Sequence, residues 1–163
     1  MIILRLISYF KGGLMMENSN SIIIKKLISE SDWKEAYPVM QQLRTHLDEK
    51  SFIELVKEAI EIESYQLVSL YDEGKIVAVV GFMPKLTLYN GKFVYVCDLV
   101  TDSAMRSKGY GEILLTYVHE WSRENGYNIV SLSSGLQRVD AHRFYEQKME
   151  YDKVSYVYLK RLS

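Results

Sequence analysis

The residues best suited to bind a ligand form one short stretch, Arg106-Ser-Lys-Gly-Tyr-Gly111. It lies between a predicted strand and an apolar stripe at helical spacing, so it opens a helix. The first amides of a helix are unpaired and carry about half a positive charge, which favours anions. Gly109 and Gly111 allow the backbone to approach a ligand closely, and Arg106 and Lys108 add positive charge. The stretch therefore predicts a phosphate-binding loop; a tight turn with solvated basic residues is the alternative.

This stretch and a second one resemble the GCN5-related N-acetyltransferase (GNAT) family. The pyrophosphate loop of that family reads [RQ]-x-x-G-x-[GA], which residues 106–111 match. A second family segment, A-x-x-[FL]-Y, occurs as Ala141-His-Arg-Phe-Tyr145, on a predicted helix that follows a predicted strand. The family usually ends this helix with Gly and an aromatic, four and five residues after the tyrosine, whereas Met149 and Glu150 stand here and Tyr151 follows. Either the register slips by one residue, or the helix ends without its left-handed glycine.

The resemblance implies an acetyl-CoA-dependent N-acetyltransferase, which transfers the acetyl group directly to a primary amine in a ternary complex and releases coenzyme A. The acceptor would be a small molecule or a lysine or N-terminal amine of a protein. The alternative is a catalytically weak acyl-CoA-binding regulatory module. The implied cofactor-binding residues are Leu99, Val100 and Thr101, whose backbone would hold the pantetheine arm and polarise the acetyl carbonyl, and Arg106, Ser107, Lys108, Gly109, Tyr110 and Gly111.

Two side chains are candidates for the catalytic chemistry. By the resemblance, Tyr145 hydrogen-bonds the sulfur and protonates the leaving thiolate; the alternative is a core tyrosine with a satisfied hydroxyl. Deprotonating an alkyl ammonium of pKa ~10.4 at pH 7 costs ~4 to 5 kcal/mol, so activation of the amine matters more than protonation of the thiolate. Asp98 is the carboxylate that we expect near the thioester, as base or substrate anchor. Its alternative is a strand-end carboxylate satisfied by backbone amides.

The composition excludes several other kinds of protein. Lys and Arg number 20 against 21 for Asp and Glu, so neither a nucleic acid nor an anionic membrane is an expected partner. The single cysteine, Cys97, cannot form an intramolecular disulfide, which indicates a reducing, cytoplasmic compartment, and we interpret it as a packing residue. His46, His119 and His142 show no metal-ligand spacing, so no metal is expected.

Strands and helices position these residues, and they alternate in the second half of the chain. Their order is β-α-α-β-β-β-α-β-α-β, which predicts a GNAT-like α/β fold: a mixed, mostly antiparallel sheet with a central parallel βαβ pair, flanked by helices on both faces. Strands are predicted at 22–28, 65–71, 76–83, 93–101, 129–132 and 154–159. Capping signals at Ser29–Asp32 and Ser51–Glu54 predict helices that run to Leu47 and Ile60, Gly126 ends a third, and a fourth covers 140–149.

The length of 163 residues fits one catalytic domain, predicted at 17–163. Residues 1–16 are predicted as a leader, disordered or loosely attached; they are too short to span a bilayer and lack signal-peptide features. The acid-rich first helices favour a cationic acceptor, although an exposed face explains their carboxylates equally well. The resemblance also allows a homodimer.

Overall fold

Strands follow one another across the sheet in the order in which they occur along the chain. The computed structural model describes residues 22–162 and the backbone of residues 2 and 3. Its strands are β1 (Ile2–Ile3), β2 (Ile23–Leu27), β3 (Gln66–Asp72), β4 (Lys75–Thr87), β5 (Gly91–Thr101) and β6 (Val130–Leu132). Apart from β1, the predicted leader lies outside the described residues.

The helices come in two groups, one before β3 and one after β5. They are α1 (Glu30–Met40), α2 (Glu49–Glu63), α3 (Tyr110–Glu124) and α4 (Val139–Arg143), which continues into a π-helical turn, Phe144–Lys148. A single 3-10 turn, Ser103–Met105, lies between β5 and α3. Among the described helices, none combines the length and the apolar character needed to cross a membrane.

The pairing of the strands confirms the predicted mixed sheet. Each pair from β1 to β5 is antiparallel, whereas β5 and β6 are parallel and are joined through α3. The sheet separates two apolar clusters, because alternate residues of a strand face opposite sides. Val79 packs with α1 and α2, and the next residue, Val80, packs with α3. Helices therefore cover both faces, as predicted.

The first helical region differs from the prediction at two boundaries. The capping box of Ser29 and Asp32 opens α1 as predicted, but α1 ends at Met40 rather than at Leu47. The predicted box at Ser51 is also wrong: α2 begins one turn earlier, because the Asp48 carboxylate accepts a 2.8 Å hydrogen bond from the Ser51 amide and caps the helix. Residues 41–48 therefore form a connection, and this connection carries a site residue.

The predicted last strand is wrong. Residues 154–159 form no strand in the described chain, and Val154, Tyr156, Val157, Tyr158 and Leu159 are each at least 70% exposed. Strand propensity measures how well side chains pack on a neighbouring strand, and the adjacent edge, β6, is only three residues long. The parallel pair therefore lies at the end of the described sheet rather than at its centre.

Candidate active site

A β-bulge in β5 sets the direction of the candidate carboxylate. Gly81 of β4 lies opposite Asp98, but the next residue, Phe82, lies opposite Val96, so Cys97 is an extra residue without a partner. Such an insertion breaks the alternation of side chains along a strand. Cys97 consequently packs with the cluster of α1 and α2, and the side chain of Asp98 also lies on that side of the sheet.

Asp98 is held by two side chains from distant parts of the chain. Its Oδ1 accepts a 2.7 Å hydrogen bond from Nε of Arg44, and its Oδ2 accepts one of 2.7 Å from the hydroxyl of Tyr65. Arg44 also donates through Nη2 to the carbonyl of Cys97 at 2.8 Å. Side chains, rather than the backbone amides considered above, therefore satisfy the carboxylate, of which only 12% is exposed.

Tyr65 reaches Asp98 because the facing residue of β4 is glycine. A Cβ atom on Gly81 would lie 1.7 Å from the hydroxyl oxygen of Tyr65 and 2.4 Å from its Cζ, so any side chain here would displace the ring. Burial, followed by the neighbouring charge of Asp98, raises the pKa of Tyr65 well above its ordinary value. The hydroxyl therefore remains protonated and donates to the carboxylate.

A cavity of about 320 Å³ opens beside this cluster. Its walls are mostly apolar and come from α1, α2, the connection between them, Tyr65, β4 and β5, and they include the charged pair of Arg44 and Asp98. The lining residues are Met40, Arg44, His46, Leu47, Phe52, Leu55, Val56, Ala59, Tyr65, Met83, Cys97 and Asp98. A second cavity, of about 480 Å³, lies between β2, β3 and the first two helices and contains none of the predicted site residues.

The strand β5 is paired on both sides for only part of its length. Val94 to Val96 pair with β6, whereas residues 97–101 have no partner on that side in the described chain and pair only with β4. The backbone of Leu99, Val100 and Thr101 therefore borders an opening between β5 and β6. Backbone groups at such an opening are available to a ligand that imitates a strand.

The predicted phosphate loop leads directly into α3. Gly109 is the N-cap residue, with φ +81, and supplies no side-chain cap, so the first amides of α3 have no cap from a side chain. Ser107 also has positive φ, +64. Arg106 and Lys108 are exposed. The loop thus combines unpaired helix amides with two accessible cations, which is the arrangement expected for binding an anion.

Tyr110 differs from the rest of the loop because its side chain is buried. Its hydroxyl donates a hydrogen bond to Asp72 at the end of β3, and that bond, together with burial, raises the pKa of Tyr110 to about 12. The ring packs with the α3 cluster. The side chain of Tyr110 therefore anchors the start of α3, and only its backbone amide is available to a ligand.

Tyr145 lies on the π-helical turn, on the opposite face of the sheet from Asp98. Its ring packs in the α3 cluster and contacts Phe144 and Tyr151, with ring centres 5.3 and 6.1 Å away. Its hydroxyl has no hydrogen-bond partner among the described residues and is not fully buried. Burial raises the pKa of Tyr145, so the phenol is protonated and can donate a proton.

The end of this helix explains the departure from the family pattern. Glu150 adopts the left-handed conformation, with φ +57, in place of glycine. The amide of Tyr151 then donates to the carbonyl of Tyr145 at 2.9 Å. Both alternatives therefore apply: the left-handed residue lies one position beyond that of the family glycine, after the π-helical turn Phe144–Lys148, and it is Glu150 rather than glycine.

Other chemically active side chains add no ready nucleophile and no metal site within residues 22–162. Burial, and next the charge of Asp98, raises the pKa of Cys97 to about 12, so the thiol is not a ready nucleophile. In residues 22–162 no three His, Cys, Asp or Glu side chains are grouped so that they could hold a metal ion. The acid-rich residues of the first helices lie elsewhere: the only carboxylate that lines the cavity is Asp98.

Three residues of this site were not identified from the sequence. Arg44 falls within the helix predicted to reach Leu47, and Tyr65 is the first residue of a predicted strand. Gly81 is the one detectable signal, because a glycine inside a long apolar strand indicates a bulge or a close approach of another group. It has both here.

Comparison with known proteins identifies relatives over most of the chain. The sequence model of the acetyltransferase (GNAT) family matches residues 29–151. The uncharacterized N-acetyltransferase YhdJ of Bacillus subtilis is 44% identical over 139 residues, which are 85% of this chain and 98% of that protein. The aminoalkylphosphonate N-acetyltransferase of Salmonella typhimurium is 30% identical over 73 residues, which are 44% of this chain and 47% of that protein.

Solved structures share the fold. The aminoglycoside N-acetyltransferase AAC(6')-Iy, solved in complex with CoA, superposes with a TM-score of 0.79 over 91% of this chain and 99% of that chain, at 11% identity. At this identity the likeness concerns the fold alone.

Proposed function

The chain belongs to the GNAT family of acetyltransferases, and on that premise we propose that it transfers the acetyl group of acetyl-CoA directly to a primary amine in a ternary complex. The observation that carries this proposal is the opening between β5 and β6, which has the loop of residues 106–111 beyond the end of β5. A phosphate-binding loop and a strand edge together match a ligand with a pyrophosphate and an amide-containing arm.

The cofactor is proposed to bind through two sets of groups. The first amides of α3, with Arg106 and Lys108, would hold the pyrophosphate, and the backbone of Leu99, Val100 and Thr101 would hold the arm. Acetyl-CoA supplies a thioester, whose thiol leaves with a pKa near ~8.5. Amides directed at the acetyl carbonyl would stabilise the negative charge that develops on its oxygen.

Tyr145 is proposed as the acid for the departing sulfur. The amine nitrogen forms a bond to the acetyl carbon, the carbon–sulfur bond breaks, and the phenol of Tyr145 donates its proton to the thiolate; the phenolate then regains a proton, through water, from those that the amine nitrogen releases. Its free hydroxyl supports this role, because a phenol is protonated at neutral pH and no bond to another described residue has to break before it donates. Because Tyr145 and Asp98 lie on opposite faces of β5, a thioester in the opening would have one on each side.

Asp98 is proposed as the anchor for the acceptor amine rather than as its base. Both carboxylate oxygens already accept a hydrogen bond, from Arg44 and Tyr65, which fixes the position of the carboxylate and engages both of its oxygens. An ammonium group can still bind the remaining lone pairs. The amine proton then passes to water in the open cavity.

The test is release of thiol from acetyl-CoA by the purified protein with a broad panel of primary amines. The proposal predicts turnover with at least one amine and an acetylated product of the expected mass. Acetyl-CoA binding without release for any amine would instead support the acyl-CoA-binding regulatory module.

A cellular location and an oligomeric state are also proposed. Cys97 has no disulfide partner in the sequence, which supports a cytoplasmic location, and imaging of a tagged chain tests it.

The apolar side chains exposed over residues 154–159 support a homodimer, since large exposed apolar patches often mark interfaces. Light scattering on a sizing column measures the mass.

A further inference from the structure

The cavity beside Asp98 carries one positive and one negative side chain at the same end. Arg44 and Asp98 are bonded to each other at 2.7 Å, and the other lining residues are apolar except for His46 and the hydroxyl of Tyr65. At about 320 Å³, the cavity is at the low end of the usual range for ligand pockets, about 300–1,000 Å³. It is therefore suited to a small acceptor.

Arg44 has binding capacity that the protein does not use. A guanidinium has five N–H groups, of which one binds Asp98 and one binds the carbonyl of Cys97. The remaining three have no partner within residues 22–162. The side chain is 41% exposed and lines the cavity, so these donors are accessible to a ligand. Arginine is the side chain best shaped to bind a carboxylate or a phosphonate through two parallel hydrogen bonds.

Asp98 also has unused capacity, of the opposite sign. An ionised carboxylate offers about four lone-pair sites, and the bonds from Arg44 and Tyr65 occupy two of them. A cationic amine can take a third. The two side chains together therefore present a fixed pair of charges with free positions on each member.

The surroundings do not favour an acceptor with two positive charges. Nine carboxylates make the region of the first two helices acidic, but they lie outside the cavity lining. The one carboxylate in that lining is Asp98. Several are already paired elsewhere: Asp32 with Lys25, Glu30 with Lys34, and Glu54 with Lys50. Arg44 balances the charge of Asp98, so the second positive charge of such an acceptor would be repelled by the guanidinium.

We propose that the acceptor is a short-chain primary amine that carries an acidic group, a carboxylate or a phosphonate, with its acidic group on Arg44 and its amine beside Asp98. This inference rests on the proposed N-acetyltransferase function and names its substrate class. Arg44 is thus a specificity-determining residue: it binds the part of the acceptor that does not react.

The experiment compares acceptors of matched shape. The initial rate of thiol release from acetyl-CoA is measured with β-alanine, its neutral analogue β-alaninamide, 2-aminoethylphosphonate and 1,3-diaminopropane. We expect kcat/KM for the two acidic amines to exceed that for β-alaninamide about 10- to 100-fold, the effect of a hydrogen bond to a charged group. The diamine is expected to be the poorest acceptor.

Two variants and a control locate the effect at Arg44. Arg44→Gln is expected to reduce the ratio of kcat/KM for β-alanine over β-alaninamide to about one and to improve the diamine, because Asp98 then keeps an unbalanced charge. The change in this ratio between proteins cancels differences in amine basicity. Arg44→Lys is expected to keep part of the ratio. Lys50→Gln, which removes an exposed cation on the first turn of α2, is expected to keep all of it.

Each result distinguishes the inference from the function on which it rests. Equal or better use of β-alaninamide or the diamine by the native protein would overturn the inference and leave the acetyltransferase function intact. No thiol release with any amine would overturn the function; calorimetric binding with coenzyme A present then decides the inference. Tighter binding of β-alanine than of its amide by the native protein would support it, and equal binding would overturn it. Coenzyme A binding by Arg44→Gln verifies that the variant is folded.

Discussion

Replacing Gly81 with alanine tests the packing that holds Asp98 in place. The new methyl group would lie 1.7 Å from the hydroxyl oxygen of Tyr65, 2.4 Å from Cζ and 2.9 Å from Cε2. Because the Tyr65 side chain is only 8% exposed, the ring has little room to move. Its hydrogen bond to Asp98 would be lost.

The expected cost has two parts. A hydrogen bond to a charged partner contributes about 1.5–3 kcal/mol, and overpacking of a buried site costs about 1–3 kcal/mol. We therefore expect Gly81→Ala to lower the free energy of unfolding by about 2.5–6 kcal/mol, measured by urea denaturation. We also expect a higher KM for the acceptor, because Asp98 loses one of its two supports.

A double-mutant cycle isolates the cause. Tyr65→Phe already lacks the hydrogen bond to Asp98 that the new methyl group would break, so Gly81→Ala should cost less in this background, with a coupling energy of about 1 kcal/mol or more. Gly111→Ala is the matched control, since its Cβ would meet Thr101 and Phe144 at ordinary distances of 3.6 and 3.8 Å and alanine favours the helix by about 1 kcal/mol. A change in stability of less than about 0.5 kcal/mol for Gly81→Ala, or an equal cost in both backgrounds, would show that the Tyr65 ring does not require glycine at position 81.

Further predictions concern the proposed acid, the helix that carries it, and the first helix cap. Tyr145→Phe should lower kcat about 10²-fold with folding intact, whereas Tyr89→Phe, at an exposed hairpin position, should not; equal rates would remove Tyr145 from the mechanism. Glu150→Gly should raise the free energy of unfolding by about 0.5–1 kcal/mol, because glycine tolerates its positive φ, and a thermal melt that shows destabilisation would contradict this. The hydrogen bond from Lys25 holds the pKa of Asp32 well below its usual range. The stability that Asp32 contributes is therefore complete above its unfolded pKa of ~3.9 and is lost as the pH falls below it; Asp32→Asn should flatten the acid side of the stability–pH curve.

Local patterns predicted most of the elements correctly. The capping box at Ser29, the turn before Gly91 and the end of α3 at Gly126 depend on neighbouring residues only, and the structure has all three. The parallel pair of β5 and β6 also follows from the order of elements, because a helix connects them. The prediction was wrong for residues 154–159, where an apolar pattern does not reveal whether a partner strand is present.

In the candidate site, too, some parts follow from local sequence and others depend on tertiary contacts. Residues 106–111 and 141–145 are contiguous motifs, and the sequence alone places the first at the start of α3 and the second on the helical segment that begins with α4, because glycine conformations and helical spacing are local properties. Only the tertiary structure shows what surrounds Asp98. Its partners, Arg44 and Tyr65, lie 54 and 33 residues away along the chain. The bulge at Cys97 and the missing side chain of Gly81 bring them together, and this three-dimensional arrangement turns a strand carboxylate into half of a charge pair.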